Sequence, residues 1–234
     1  MIYENYSKEL ILLDYKKNGS LADCQIIDNN LSDINIAGVY IKNIEVISSS
    51  LQKTNMEKSF CGNMRVDLSD LQEINFFQSK QADSFFTKSN LIKALFEKSR
   101  LLNVYFNNCI AHNISFNNSR IIDSRFDDCE MYKMKMNNSV LIKTSFSPGS
   151  KKHLIGINKS NITGSLIIDS SFSEMNLSGA NFYGSSLINC DFSFANIEDV
   201  NFEYSNLINC NFNNTDVDTA NWDNCNLCQI AEEK

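Results

Sequence analysis

The chain has 234 residues and a formal net charge of −7, with 43% hydrophobic and 21% charged residues. One proline and eight glycines are too few for a disordered or collagen-like chain. No apolar run approaches the ~20 residues of a membrane span, and the N-terminus lacks the pattern of a signal peptide, so we expect no membrane insertion and a cytoplasmic location.

Residues 1–18 are predicted to form an N-terminal cap that is mostly helical. Ser7 suits the N-cap position, and basic residues follow in the last turn, as a helix end favours. Leu10 and Leu13 are expected to share one face with Tyr6. That face is predicted to cover the first part of the structure that follows.

From Leu21 onward an apolar residue, here called a centre, returns every fifth position. The 26 centres from Leu21 to Phe146 share one register, and 15 more, from Ile157 to Leu227, are one residue out of phase. The residue two positions before each centre is mostly small. Although 21% of the chain is charged, neither column contains a charge, so both are predicted to be buried and the other three positions exposed. The predicted segments after the cap are 19–146 and 157–228 (repeats), 147–156 (an interruption) and 229–234 (a tail).

A period of five excludes an α-helix, because 3.6 residues per turn cannot keep such a stripe on one face. In an extended segment, residues two apart point to the same side. The two remaining residues of each repeat must therefore turn a corner, and a series of short sides and corners makes a coil. Successive coils can then stack through backbone hydrogen bonds.

Phenylalanine occupies alternate centres over much of the chain, with aliphatic residues between them. This ten-residue rhythm predicts a four-sided coil of about 20 residues, with Phe on two opposite sides. Periodicity alone leaves a two-sided coil open.

The segment between the two registers contains the only proline, Pro148. Because proline lacks a ladder donor, the wall is expected to be interrupted here. One interpretation is a bulge of one residue. The other is a functional protruding loop that carries Lys151, Lys152 and His153.

The pentapeptides AN-F-YG, CD-F-SF, AN-I-ED, SN-L-IN and CN-F-NN resemble the pentapeptide-repeat family, whose loose motif is A(D/N)LXX. The resemblance covers roughly residues 19–228. It implies an all-β fold, a right-handed quadrilateral β-helix of about ten coils with the short N-terminal capping helix. At strand spacing, ten coils make a rod of roughly 45–50 Å.

Residues with catalytic chemistry are scarce. His112 and His153 are interpreted as surface residues, and Cys225 and Cys228 are expected to point to opposite sides of the wall. Six of the eight cysteines occupy the small inward column and are interpreted as filler without disulfides. We therefore expect no enzyme activity, no cofactor and no metal site.

The C-terminal end of the repeat is less regular. Trp222 stands where phenylalanine is expected in the last full coil and is predicted to plug it. The tail at 229–234 is too short for a docking helix. Either the chain ends with a minimal cap, or it is the β-helix portion of a longer polypeptide.

Charge is distributed unevenly. Residues 1–152 carry 19 basic and 17 acidic residues, net +2, whereas residues 153–234 carry 2 basic and 11 acidic residues, net −9. A 20-residue coil stacks Glu198 under Asp218 and Glu203 under Asp223, with Asp199 nearby. These five carboxylates are the candidate partner-binding residues: Glu198, Asp199, Glu203, Asp218 and Asp223. The alternative is a solvated face that maintains solubility.

The resemblance implies a non-enzymatic, bacterial protein-interaction scaffold whose protein partner is unidentified. Members of the family also occur as domains of secreted effectors, which would reach a host cell without a signal peptide. Other members bind DNA gyrase or topoisomerase as acidic mimics of DNA, and this is the alternative function. No direct nucleic-acid binding is expected, and a monomer is favoured.

Overall fold

The computed structural model describes residues 4–148 and 156–228, which form a β-solenoid. Its elements are β1 (Glu4–Asn5), α1 (Lys8–Asn18), β2 (Ser20–Ile27), β3 (Tyr40–Ile47), β4 (Phe60–Asp67), β5 (Lys80–Ala82), β6 (Phe85–Thr87), β7 (Arg100–Leu102), β8 (Tyr105–Asn107), β9 (Arg120–Ile122), β10 (Arg125–Asp127), β11 (Val140–Ile142), β12 (Ser145–Ser147), β13 (Leu166–Ile168), β14 (Ser186–Ile188), β15 (Asn206–Ile208), the 3-10 helix η1 (Val217–Thr219) and β16 (Asn226–Cys228). Within the described ranges, no helix is long and apolar enough to cross a membrane.

The coil has four sides, which we number in chain order. Face 1 begins with the centre Leu21, face 2 with Ile26, face 3 with Leu31 and face 4 with Ile36. Faces 1 and 2 pair mainly through short parallel strands, whereas faces 3 and 4 pair through single-residue parallel bridges. The quadrilateral coil is therefore confirmed, and the two-sided coil is excluded.

Neighbouring coils are offset by 20 residues, except across the interruption. On face 1, Ser20 pairs with Tyr40 and Tyr40 with Phe60, and the series ends with Asn206 paired to Asn226. Eleven strands follow one another on this face of the described chain, so they bound ten complete coils. This number agrees with the predicted value of about ten.

The two charge-free columns form the core. The described centres are buried from Leu21 to Phe212. Phenylalanine rings stack along faces 2 and 4, as Phe86 does on Phe106 at 4.9 Å between ring centroids. Rings from opposite faces meet edge to face, as Phe96 and Phe106 do at 6.0 Å. This arrangement explains the ten-residue rhythm of phenylalanine, since both stacked and perpendicular pairs are favourable.

The prediction that burial continues to Leu227 is wrong for the last coil. Val217 is 42% exposed and Leu227 is 43% exposed, because no further coil of the described chain covers them. Many outward residues are only half-buried, since the coils on either side cover part of each side chain.

Serine suits the inward small column because its hydroxyl joins neighbouring coils. The Ser79 N–H donates to Ser99 Oγ at 3.0 Å, and Ser99 Oγ donates to the Phe76 carbonyl at 2.7 Å. The hydroxyl is thereby satisfied inside the wall, as a buried polar group requires.

Each corner requires left-handed backbone at the second residue after the centre. This position has a positive φ after every centre from Leu21 to Leu141, and most of its residues are not glycine. Pro148 occupies the same position after Phe146, and its ring holds φ near −65°. Proline cannot adopt the corner conformation, which gives a physical reason for the break at this place.

The N-terminal helix α1 is confirmed as a cap. The Leu10 N–H donates to Ser7 Oγ at 3.4 Å, and Gly19 closes the helix with a left-handed φ of 63°. The predicted inward face is wrong, because Leu10 is 39% and Leu13 is 59% exposed while Ile11 is fully buried. Tyr15 lies one turn after Ile11 and donates its hydroxyl to the Ala37 carbonyl at 2.8 Å.

Candidate protein-binding surfaces

Asparagine side chains position the carboxylates on face 4. Asn201 Oδ1 accepts the N–H of Glu203 at 3.0 Å, and Asn221 Oδ1 accepts the N–H of Asp223 at 3.0 Å. The two asparagines also bond to each other, from Asn221 Nδ2 to Asn201 Oδ1 at 3.2 Å. Glu203 and Asp223 therefore lie in one column on successive coils, as predicted.

The predicted stacking of Glu198 under Asp218 is wrong. Val217–Thr219 forms the 3-10 helix η1, and the Asp199 N–H donates to the Thr219 carbonyl at 2.9 Å. In the regular register this N–H would bond to the carbonyl of residue 218. The equivalent N–H one coil earlier, that of Gly179, bonds to the Glu198 carbonyl in this way. Face 3 has thus slipped by one residue in its last described coil.

We call Glu198, Asp199, Glu203, Asp218 and Asp223 the acidic corner. Four of them are exposed and Glu203 is half-buried. Within the described residues none of the five makes an ion pair. The ion pairs that occur are Lys58–Glu57, Lys93–Glu73 and His112–Glu130, all within the described range 4–148. The acidic corner therefore combines exposure with a lack of neutralising partners.

One cation, Lys159, lies in the described range 156–228. Its backbone pairs with the coil of Gly179, whose backbone in turn pairs with the coil of Glu198. Lys159 is two coils from Asp199 in the same column, or about 10 Å at strand spacing. At that distance salt screens much of its attraction.

Lys151, Lys152 and His153 lie outside the described residues. The flanking register nevertheless limits the size of the interruption: Val140 pairs with Leu166, an offset of 26 residues. The coil that contains the interruption is therefore six residues longer than a 20-residue coil. The interpretation as a bulge of one residue is wrong.

The cysteine side chains and His112 are placed much as the sequence indicates. Cys225 is half-buried beside the core, whereas Cys228 is exposed, so they lie on different sides of the wall. His112 Nε2 lies 3.6 Å from Glu130 Oε2. Among the residues that the structure describes, no three of His, Cys, Asp and Glu are grouped as metal ligands.

The sequence interpretation missed an apolar column on the outside of face 1. It immediately follows the centre on six successive coils, and we call it the aliphatic stripe: Leu102, Ile122, Ile142, Ile168, Ile188 and Ile208. Leu102 is 50% exposed and the five isoleucines are half-buried. Reading the sequence at a 20-residue offset, rather than at five, shows this column directly.

The geometry defines a four-sided parallel β-solenoid assembled from five-residue repeats. Residues 167–203 match the family model for pentapeptide repeats, in eight copies. The match confirms, for these residues, the resemblance to the pentapeptide-repeat family.

Several solved structures are similar to this chain at low sequence identity. HetL, a pentapeptide repeat protein involved in heterocyst differentiation regulation from the cyanobacterium Nostoc, is 13% identical, with 95% of each chain covered and a TM-score of 0.38. Full-length QnrB1, a plasmid-mediated fluoroquinolone resistance protein, is 13% identical over 91% of this chain and 93% of its own, with a TM-score of 0.39. ORF18 of Geobacillus virus E2 is 10% identical over 90% of this chain and 52% of its own, with a TM-score of 0.56. No curated protein matches this chain.

Proposed function

We propose that the protein is a non-enzymatic scaffold that binds a basic protein partner through the acidic corner. The observation that supports this most is the set of outward carboxylates without ion pairs in the described structure. Like charges on neighbouring coils repel one another, so their arrangement does not stabilise the rod. A surface rich in Lys and Arg would supply the missing attraction and speed association.

The rigid backbone favours such a role. Asn201 and Asn221 hold the turns that carry Glu203 and Asp223, so little ordering is needed when a partner binds. We propose that the protein acts inside a cell, because its eight cysteines are free thiols. Delivery as one domain of a secreted effector is part of the same proposal, and the mass of the native polypeptide tests it, since an effector should exceed the 26.6 kDa of this chain.

The acidic corner is tested by a variant in which its five carboxylates become Asn or Gln. A matched variant carries the same change at five outward carboxylates near the other end of the rod: Glu4, Asp23, Asp28, Asp33 and Glu45. Partners retained by the wild-type protein at low salt are identified by mass spectrometry, and their Kd is measured at rising salt concentration. We expect the corner variant alone to lose the partner, and the wild-type Kd to rise with salt.

Both variants should unfold at nearly the wild-type temperature, because exposed charges contribute little to the stability of the rod. Equal partner retention by the corner variant would contradict the proposal and leave the carboxylates as a solvated face. A large fall in its unfolding temperature would show that these side chains support the wall.

A second candidate is an acidic mimic of DNA that binds gyrase or topoisomerase. The observation that favours it is the repetition of carboxylates at coil spacing on Glu203 and Asp223. The basic column Lys80, Arg100 and Arg120 on the first half of the rod does not resemble DNA. A supercoiling assay distinguishes the two candidates, because only a mimic should change the activity of gyrase, and the corner variant should abolish that change.

A further inference from the structure

Face 1 is the most apolar outer surface of the described rod. The aliphatic stripe runs over six successive coils in the column that follows the centres. The equivalent column on face 4 carries Glu97, Asn117, Asn137, Thr163, Tyr183 and Glu203 over the same coils. Since a continuous apolar patch on a protein surface usually marks an interaction site, face 1 requires an occupant.

Charged residues lie on both edges of face 1 at the coils where the stripe begins and at the coil before it. In the column before the centres, Lys80, Arg100 and Arg120 are exposed on three successive coils. On the other side of the stripe, Asp83 and Asp123 are exposed at the corner of face 1. None of these five charged groups makes an ion pair within the described residues. The basic and acidic columns therefore lie on the two edges of one face, at the same coils.

We propose that face 1 is the interface of a parallel homodimer, with a twofold axis that runs along the two rods. This symmetry brings the basic edge of one copy against the acidic edge of the other at the same coil. Lys80 then meets Asp83 of the second copy, and Arg120 meets Asp123 of the second copy. The two aliphatic stripes pack against each other from these coils onward, so one face supplies both the apolar core and the charge complementarity of an isologous interface.

The charges also select the orientation. In an antiparallel dimer with its axis across the rods, the column before the centres would face itself. That column contains no acidic residue from Ser20 to Asn226, so its basic residues would gain no partner. The parallel dimer instead pairs opposite charges at two coils.

The face is large enough for a stable contact. Its eleven strands, spaced about 4.8 Å apart, give a length of about 50 Å, and four extended residues give a width of about 13 Å. The product, about 650 Å², is of the order of the ~800 Å² that each partner contributes to a standard interface.

A dimer departs from the monomer expected from the sequence and is independent of the proposed function. The acidic corner lies on faces 3 and 4, and both copies would leave it accessible. Either proposal can therefore fail while the other stands.

Sedimentation equilibrium from low to about 200 µM protein tests the dimer. The wild-type chain should exceed its monomer mass of 26.6 kDa and approach two chains. Ile168→Asp/Ile188→Asp should raise the dimer Kd by about 100-fold or more, because each dimer would enclose four unpaired carboxylates. The matched control Ser178→Asp/Tyr183→Asp adds the same charge at equivalent positions of faces 3 and 4, and should leave the Kd unchanged.

Circular dichroism must show the same spectrum for both variants, since all four positions point outward. A wild-type chain that remains at monomer mass would overturn the proposal and assign face 1 to a partner of another sequence. Equal Kd values for the two double variants would also overturn it, because the contact would then lie elsewhere.

Cys228 provides a native probe of orientation, because it is exposed in the last described coil of face 1. A nitroxide attached to Cys228 in a Cys225→Ser background reports the distance between the two copies. Parallel rods place the two labels at the same height, within about 20 Å when label length is added to the interface spacing of packed sheets. A distance near the length of the rod would overturn the parallel arrangement.

Discussion

Replacement of Phe192 by alanine tests how the interior is packed. Phe192 is fully buried, and its ring stacks between those of Phe172 and Phe212 at centroid distances of 5.1 and 5.0 Å. It also meets Phe182 and Phe202 edge to face at 6.0 and 5.8 Å. Truncation of a core phenylalanine costs about 3–5 kcal/mol. We expect the upper part of that range, because each aromatic contact adds about 0.5–1.5 kcal/mol and the hydrogen-bonded wall resists collapse.

Urea unfolding followed by circular dichroism measures this loss as a lower midpoint at an unchanged m-value. Phe194→Ala is the matched control, since Phe194 lies two residues away but is 59% exposed. The control should lose no more than about 0.5 kcal/mol. A loss below about 1 kcal/mol in Phe192→Ala would refute the argument for a closely packed aromatic interior.

Three further predictions address the backbone and the thiols. Phe194→Asn should stabilise the protein by about 0.5–1 kcal/mol in the same urea assay, because asparagine tolerates the left-handed φ of 58° at this corner; a loss would contradict the corner argument. Burial raises the pKa of the Cys61 thiol to about 11, from an ordinary value of 9.0. Between pH 9 and pH 11 the unfolded chain therefore releases a proton that the folded chain keeps, so the free energy of unfolding should fall with rising pH by up to about 2–3 kcal/mol. The Cys61→Ala variant should show a smaller decline. An equal slope in both proteins would disprove the argument. In the native protein at pH 8, Cys228 should react rapidly with a thiol reagent and the buried cysteines slowly, whereas all eight should react after unfolding; equal rates for all eight in the native state would contradict the inward assignment.

Much of the fold follows from two columns of the sequence. The period of five and the absence of charge from Leu21 to Phe146 predict both the coil and its core, and the alternate phenylalanines predict four sides. These inferences hold because each residue contacts mainly its own coil and the next, so a local pattern determines the tertiary contacts. Phe96 and Phe106, for example, are ten residues apart in sequence, and their rings pack edge to face.

The ends of the rod are less predictable, because the five-residue repeat does not specify which side chains are buried there. Helix α1 begins at its expected N-cap, yet Ile11 rather than Leu10 or Leu13 contacts the core. The orientation of a short helix depends on how it packs against the first coil, and three apolar residues in sequence do not specify that. Likewise, the slip at Val217–Thr219 occurs where a single neighbouring coil constrains the turn.

Pro148 shows how the corner conformation limits the sequence. Lysine, asparagine, aspartate and even leucine occupy the left-handed position elsewhere, as Leu68 does at a φ of 50°. Each such residue costs roughly 1–2 kcal/mol relative to right-handed backbone, and the ladders of the neighbouring coils offset that cost. Proline cannot adopt the conformation at any comparable cost, so the register after Phe146 resumes only after six additional residues.

The same architecture separates the residues that maintain the fold from those that are free to bind. Inward columns must remain small or apolar, whereas an outward column has no such requirement and usually changes character from coil to coil. The asparagines of face 4 are repeated because they bond to the turns, but an apolar or charged outward column that makes no such bonds indicates a constraint other than folding. The aliphatic stripe stays apolar over six coils, from Leu102 to Ile208. The column of Lys80, Arg100 and Arg120 stays basic over three successive coils of the same face. Since like charges at coil spacing weaken the rod, the basic column in particular is best explained by a surface that meets it from outside.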